Sequence, residues 1–285
     1  MSHQSDFGSN HDLSTEHTDL EVELLLKAVF RLSGYDFLLY NRSSITRRIE
    51  NRMRISGLST ITELTNLIIH NEDYLHQILN DFSINVTEMF RNPSFFKAFR
   101  NEVIPKLREF PEIRIWHAGC ATGEEVFSMA VLIEEEGLMD KTVIYATDMN
   151  EDVLEKAKNG VFPIHKMQAY TKNYQLAGGQ ESFSQYYKTD RQYAYFHKSL
   201  LKNIIFAQHN LVTDQSFNEF HIIICRNVLI YFTQRLQNQV HHLFHESLMN
   251  GGYLGLGDKE TLRFTEIVAN YNEVNGNERI YQKVK

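Results

Sequence analysis

The stretch Ile113 to Glu125 reads I-R-I-W-H-A-G-C-A-T-G-E-E. An apolar run with β-formers breaks at Gly119, passes through the small residues Cys120, Ala121 and Thr122, and resumes after Gly123 as an amphipathic helix. The pattern predicts strand, tight turn, helix. In an open α/β sheet the turn beyond a strand's carboxyl end is where a nucleotide-like ligand sits. Glycine lets the ligand approach the backbone there, and the helix N-terminus offers free N–H groups. Further on, Val143 to Thr147 (V-I-Y-A-T) predicts a second buried strand, and it ends in Asp148, placed to accept hydrogen bonds from two ribose hydroxyls.

The spacing bears on which ligand is meant. A dinucleotide fingerprint is G-x-G-x-x-G, whereas this turn is G-C-A-T-G followed at once by Glu124 and Glu125. Two carboxylates would repel a diphosphate. A ligand with a ribose, a cationic centre and an α-ammonium group would gain from them, and S-adenosylmethionine (SAM) has all three.

The rest of the composition sets bounds. The chain of 285 residues has room for one large or two modest domains. Its apolar and charged fractions are those of a globular protein, and no uninterrupted apolar stretch or charged-then-apolar leader points to a membrane span or signal peptide. The two cysteines, Cys120 and Cys225, fall at predicted strand ends rather than in a disulfide framework, which fits a reducing cytoplasm. A net charge of -7 argues against general binding to nucleic acid or an anionic membrane.

Residues 1–19 are polar, without apolar period, and are expected to form a disordered tail. From 20 to 83 apolar residues recur at helical steps, as at Leu24, Leu25, Val29 and Leu32, and predict a small all-helical domain. Within it Arg42 to Arg54 (R-S-S-I-T-R-R-I-E-N-R-M-R) carries five arginines against one Glu. Ile45, Ile49 and Met53 form the stripe expected to be buried. Arg48 and Arg52 lie on its shoulder, and Arg47 and Arg54 point away. A solvated face is the plain explanation; docking of an acidic partner through Arg42, Arg48, Arg52 and Arg54 is the functional one.

Residues 84–112 join the domains, with Asn92-Pro93 expected to cap and start a helix running to about Arg108. Residues 113–285 form an α/β domain in which 161–201 breaks the alternation of strand and helix. With Pro163, Gly178, Gly179 and a strand-like run at Tyr193, Tyr195 and Phe196, that segment predicts an inserted subdomain of a few antiparallel strands with helix. The sheet resumes at Ile204 to Gln208 and at His221 to Ile224. A helix (Thr233 to Met249), a strand (Tyr253 to Leu256) and a closing hairpin across Asn275-Gly276 complete it.

These residues resemble the CheR-type chemotaxis receptor methyltransferases, protein-glutamate O-methyltransferases. The matching pieces are N-V-T-E-M-F-R at Asn85 to Arg91, A-T-G-E-E at Ala121 to Glu125, A-T-D at Ala146 to Asp148, and C-R-N-V-L-I-Y-F at Cys225 to Phe232. The resemblance implies a class I SAM-dependent methyltransferase (Rossmann-like) domain with an inserted small β-subdomain, preceded by a small all-α domain. It implies a cytoplasmic enzyme that moves the SAM methyl group to glutamates on the helical signalling domain of chemoreceptors and leaves S-adenosylhomocysteine.

By motif position, Asn85, Thr87 and Arg91 would line the SAM site, and Gly119 would form its turn. Glu125 would hold the methionine ammonium, Asp148 the ribose, and Asn210 with Leu211 the adenine region. Asn227 would contact the cofactor and Tyr231 would face the substrate, so that Arg91 and Tyr231 are the residues expected at the reacting centre. The inserted subdomain docks a receptor C-terminal peptide in some members of the family. Two places depart from the family pattern: His221 stands where an acidic residue is usual, and Gly257-Asp258-Lys259-Glu260 replaces a small-His-Ser-Glu turn.

His241, His242 and His245 do not form H-E-x-x-H, and no metal is expected. A monomer is the expected state. The competing expectations are a SAM-dependent methyltransferase with another substrate and a non-catalytic SAM-binding scaffold in a signalling complex.

Overall fold

A computed structural model describes residues 9–285, with side chains from Glu16 onward. The chain divides into two compact units. One runs through Ile84 and includes Tyr231–Leu236; the other comprises Asn85–Ile230 and Gln237–Lys285.

The first unit holds α1 (Ser9–Ser33), α2 (Arg42–Ser56), α3 (Ile61–His70) and α4 (Glu72–Phe82). Helix α1 starts inside the stretch expected to be a tail, and residues 1–8 lie outside the described residues. Val22, Leu25, Leu26 and Val29 of α1 are buried with Ile45 and Ile49 of α2, Leu64 and Ile68 of α3, and Ile78 and Phe82 of α4. These are the i, i+3, i+4 positions of the sequence pattern. Local chemistry fixes the helix ends. Asn41 accepts from the backbone N–H of Ser43 at the start of α2, and Thr60 with Glu63 forms a reciprocal capping box on α3. The segment from Tyr231 joins this unit through backbone bonds: Asn41 N–H donates to the Tyr231 carbonyl (2.7 Å) and Thr233 N–H to that of Leu39 (3.0 Å).

The second unit begins with α5 (Pro93–Ala98), a π-helical turn (Phe99–Val103) and α6 (Ile104–Leu107). The predicted helix is present as these three consecutive pieces, with a change of register before Pro105, whose nitrogen has no hydrogen to donate and whose ring crowds the carbonyl four residues back. Phe95, Phe96, Phe99, Val103 and Ile104 from this stretch are buried in the same core as Ile113, Ile115, Val126 and Ile222. The connecting helix expected here thus packs into the core of the α/β unit.

After it come β1 (Ile113–Ala118), α7 (Glu124–Glu135), β2 (Thr142–Asp148), α8 (Glu151–Asn159), β3 (Val161–Pro163), α9 (Met167–Leu176), β4 (Tyr187–Thr189), β5 (Tyr193–Phe196), α10 (Lys198–Leu201), β6 (Ile204–Gln208), β7 (Phe220–Cys225), α11 (Gln234–Ser247), β8 (Leu248–Leu256), β9 (Tyr271–Asn275) and β10 (Ile280–Lys283). Seven strands form one sheet in the order β6-β2-β1-β7-β8-β10-β9. Pairing is parallel as far as β8, and β10 is antiparallel to both neighbours. This is the Rossmann-like class of fold that the sequence predicts. Every residue of β7 is buried, as a parallel strand covered on both faces requires. The insertion forms its own three-stranded antiparallel sheet, β3-β5-β4, and Phe162 and Phe196 from it meet Phe127 of α7 edge-on.

From β1 the chain moves one way to β2 and β6, then returns to the other side of β1 at β7. The crevice beyond the carboxyl ends of β1 and β7 is therefore the switch point where open α/β sheets take ligands.

Candidate active site

Four chain segments in the second unit meet through hydrogen bonds at this switch point. The first is the turn after β1. Gly119 adopts φ +77°, and a Cβ there would stand 2.6 Å from Cγ2 of Val228, so the position tolerates only glycine without movement. Gly119 and Cys120 both donate to the Thr147 carbonyl (2.8 and 2.9 Å), which fastens the turn to the end of β2. Ala121, with φ +48°, donates its N–H to Oδ2 of Asp148 at 2.9 Å.

Asp148 therefore shapes the turn. Its Oδ1 accepts from Asn150 N–H at 3.0 Å. Burial pushes the carboxyl up from its ordinary value, against the pull of N–H donors from Asn150, Ala121 and Met149. The neighbouring strand end is tied in as His209 N–H donates to the Asp148 carbonyl (3.1 Å). Asn210 follows; its side chain accepts from Val212 N–H, folding Leu211 into a tight turn beside Asp148.

The two glutamates of the motif part ways. Glu124 is turned inward, 2% exposed, and its carboxylate accepts from the Thr122 hydroxyl (2.5 Å) and the Tyr170 hydroxyl (3.2 Å). The Tyr170 bond ties the inserted subdomain to α7. Glu125 retains 17% side-chain exposure and lies between two partners, with Arg226 Nη1 at 2.9 Å from Oε2 and His117 Nδ1 at 3.1 Å from Oε1. Burial alone would raise its pKa, but the His117 hydrogen bond and the Arg226 charge outweigh it and hold the carboxyl below its ordinary value.

Arg226 is the hub that sequence reasoning missed. Its Nη2 donates to the Arg91 carbonyl (3.1 Å) and to Oδ1 of Asn92 (2.9 Å), and its guanidinium lies 4.1 Å over the Phe95 ring. Asn92 consequently does not cap α5 as expected. It sits at φ 54° with no side-chain cap bond, its amide oxygen engaged by Arg226 instead. The Asn85–Arg91 segment is fixed a second time where Phe90 N–H donates to the Ser128 hydroxyl of α7 (2.8 Å). Within it Asn85, Thr87 and Arg91 are half-buried, and the Arg91 guanidinium folds back to the Val86 carbonyl (3.2 Å).

Beyond β7, the loop Arg226–Leu229 is built around a second buried carboxylate. Glu260 Oε2 accepts from Asn227 and Gly257, and Oε1 from Val228 and Leu229, at 2.7 to 3.0 Å. These bonds hold Asn227 in the left-handed region at φ 63°. The turn that departs from the family pattern thus supplies the residue that shapes this loop. His221, the other departure, accepts from Arg114 N–H at the opposite strand end.

The remaining expected site residues belong to the first unit. Arg52 is bound to the Asp81 carboxylate through two nitrogens (2.5 and 2.9 Å) and to Gln77, and Arg48 donates to the Asp81 carbonyl (2.8 Å). Arg42 pairs with Asp19, and Arg54 with Asn51. Arg47 is exposed. Tyr231 closes a short 3-10 turn, Leu229–Tyr231. The three histidines of α11 diverge: His241 is buried, His242 faces Glu266, and His245 meets Tyr271.

The second unit fits a ligand with a cation at one end and a diol at the other. Glu125 is ionised, partly open, and able to accept a third donor. Asp148 takes the Ala121 N–H on Oδ2 and the Asn150 N–H on Oδ1, and a carboxylate oxygen accepts two donors.

Comparison with known proteins agrees. Residues 85–277 match the CheR methyltransferase SAM binding domain, and 20–83 match the CheR methyltransferase all-alpha domain. A Pseudomonas putida protein named as a methyltransferase, Cher3, is 43% identical over 270 residues, covering 95% of this chain and 99% of its own. A chemotaxis protein methyltransferase of Listeria monocytogenes is 31% identical over 86% of this chain and 92% of its own. One of Escherichia coli is 26% identical over 87% of each. The chain belongs to the CheR methyltransferase family.

Proposed function

We propose that this protein transfers the methyl group of SAM to glutamate side chains on the helical cytoplasmic domain of chemoreceptors, forming methyl esters and S-adenosylhomocysteine. The observation that carries the cofactor half is the ionised Glu125 held between Arg226 and His117 at the sheet's switch point. The acceptor half is supported by relatives named chemotaxis protein methyltransferase.

Bound SAM supplies an electrophilic methyl on a sulfonium. Glu125 holds the α-ammonium, Asp148 the ribose, and the turn at Gly119 the close backbone approach; Asn85, Thr87, Asn210, Leu211 and Asn227 complete the lining. The acceptor glutamate is ionised at neutral pH, so no general base is required. What the protein must supply is orientation. Arg91 suits that, because a guanidinium grips one carboxylate through two nitrogens while leaving a lone pair directed outward. Its present partner, the Val86 carbonyl, is a single bond on the surface that an acceptor carboxylate displaces. Tyr231 orients the acceptor.

For receptor docking, Arg47 and Arg54 are the arginines of α2 to test. Arg52 and Arg48 hold Asp81 at the end of α4, and their loss would loosen the helical unit itself. No helix among the described residues is long and apolar enough to cross a membrane.

The test is incubation with methyl-labelled SAM and receptor-bearing membranes, followed by mild alkali. Label released as methanol, and lowered on the order of a hundredfold in Arg91→Ala, supports the proposal. Alkali-stable label points to another acceptor atom. Tight SAM binding with no labelled product points to a scaffold.

A further inference from the structure

Glu125 is held from two sides by unlike donors. Arg226 brings a full positive charge to Oε2 and is itself fixed by the Arg91 carbonyl, the Asn92 amide and the Phe95 ring. His117 meets Oε1 with Nδ1. Because Glu125 is an ionised acceptor, the hydrogen of that bond lies on His117 Nδ1. Its other ring nitrogen, Nε2, is buried and has no partner among the described residues, and the residue is 1% exposed.

A fully buried histidine at the centre of a sheet, with one nitrogen orphaned among the described residues, is a poor choice for packing alone. Its chemistry at Oε1 is distinctive. An imidazole N–H at Oε1 and a guanidinium N–H at Oε2 fix the carboxylate plane and leave each oxygen a further lone pair, so Glu125 keeps acceptor capacity for a third, cationic donor.

We propose that His117 is a positioning residue for the amino-acid end of the cofactor. Its Nδ1–H holds Glu125 Oε1 so that the carboxylate presents a free lone pair to the α-ammonium group. This rests on the cofactor reading above and goes beyond it by making the effect specific to one end of the ligand. His117 stands eight residues before Glu125, at the pleat position of β1 that pairs with Ala146 and Ile224, and so is carried by the centre of the sheet rather than by a loop.

The experiment compares binding of two probes by calorimetry, S-adenosylhomocysteine and methylthioadenosine, which shares the adenosine and sulfur but lacks the ammonium and carboxylate. His117→Leu, which cannot donate, weakens S-adenosylhomocysteine by about tenfold or more, as loss of a hydrogen bond to a charged group does. It leaves methylthioadenosine within about twofold, because that probe makes no ammonium contact. His117→Asn restores a short N–H donor and recovers most of the lost affinity. If His117→Leu does not fold, His117→Ala gives the same contrast.

Equal weakening of both probes would show that His117 acts through general packing and overturns the proposal, as would unchanged affinity for S-adenosylhomocysteine. Native protein that binds neither probe overturns the cofactor reading, and this role with it. Native protein that prefers S-adenosylhomocysteine, with variants that lose both probes alike, leaves the cofactor reading standing and removes only His117.

Discussion

Arg226 Nη1 lies 2.9 Å from Oε2 of Glu125, a bond across 101 residues of sequence that joins the first turn of α7 to the end of β7. The Arg226 side chain is 1% exposed, so removing it leaves a carboxylate largely shut away from water. Arg226→Met should cost about 3 kcal/mol of stability in chemical denaturation and also free the Arg91 carbonyl and the Asn92 amide. Arg226→Lys should not restore it, because one ammonium cannot span the three acceptors that the guanidinium fork reaches. In a double-mutant cycle with Glu125→Gln the two losses should be strongly non-additive. Simple additivity would mean that the pair is not coupled.

Glu260 makes the second prediction. Each of its oxygens takes two backbone N–H donors, so Glu260→Ala strands four, each worth about 1–3 kcal/mol where water cannot reach. Glu260→Gln should be nearly as harmful, since the amide NH2 would face two donors in place of one oxygen. Amide exchange at Asn227, Val228 and Leu229 should accelerate in both variants. Protection left intact at those three amides would show that the loop is shaped by something else.

Arg226 and Glu260 stayed hidden in the sequence, unlike Glu125, which the A-T-G-E-E motif marks. The turn at Gly119, the strand-end Asp148 and the alternation of strand and helix all rest on local chemistry: φ above zero, a helix start, apolar runs. Those are written in adjacent residues. Arg226 and Glu260 act across 101 and 33 residues, and nothing nearby says which group they meet. Burial offered the one signal available. A histidine inside β1 and an arginine directly after β7 each need a partner, and the twin Glu was the nearest supply. Asn92 misled because Asn before Pro usually caps a helix; a distant guanidinium took its side chain first. Helix α1 begins at Ser9, ahead of the apolar period from which the sequence predicts helix, because polar residues carry no such period to read.

His241 gives a pH dependence. Burial, helped by the neighbouring His242, pushes its pKa down to about 4 from the ordinary 6.5, and Nδ1 has no partner among the described residues. Above pH 6.5 the group is neutral folded and unfolded and contributes nothing to the slope. Between about 6.5 and 4 the unfolded chain binds a proton that the folded one refuses, so stability falls as pH falls; the loss approaches about 3 kcal/mol and is complete below the folded value. His241→Leu should flatten this part of the stability curve relative to the native chain in thermal unfolding from pH 7 to 4. Parallel curves would remove His241 as the source.

Gly119 and Val228 provide the last prediction. A methyl at Gly119 would sit 2.6 Å from Val228 Cγ2, and the backbone there is at φ +77°. Two separate penalties are therefore expected of Gly119→Ala: a backbone cost of about 1 kcal/mol that no neighbour can relieve, and a clash that one can. Adding Val228→Ala removes the clashing methyl, so the double variant should regain the steric part and keep the backbone part, placing its stability between the native chain and Gly119→Ala once the cost of Val228→Ala alone is subtracted. The same turn carries Ala121 N–H to Asp148, and S-adenosylhomocysteine affinity should follow the same order. Full recovery in the double variant would show that the positive φ carries no cost. No recovery would show that the turn is held by backbone conformation alone, and that its approach to the loop after β7 is incidental to the site.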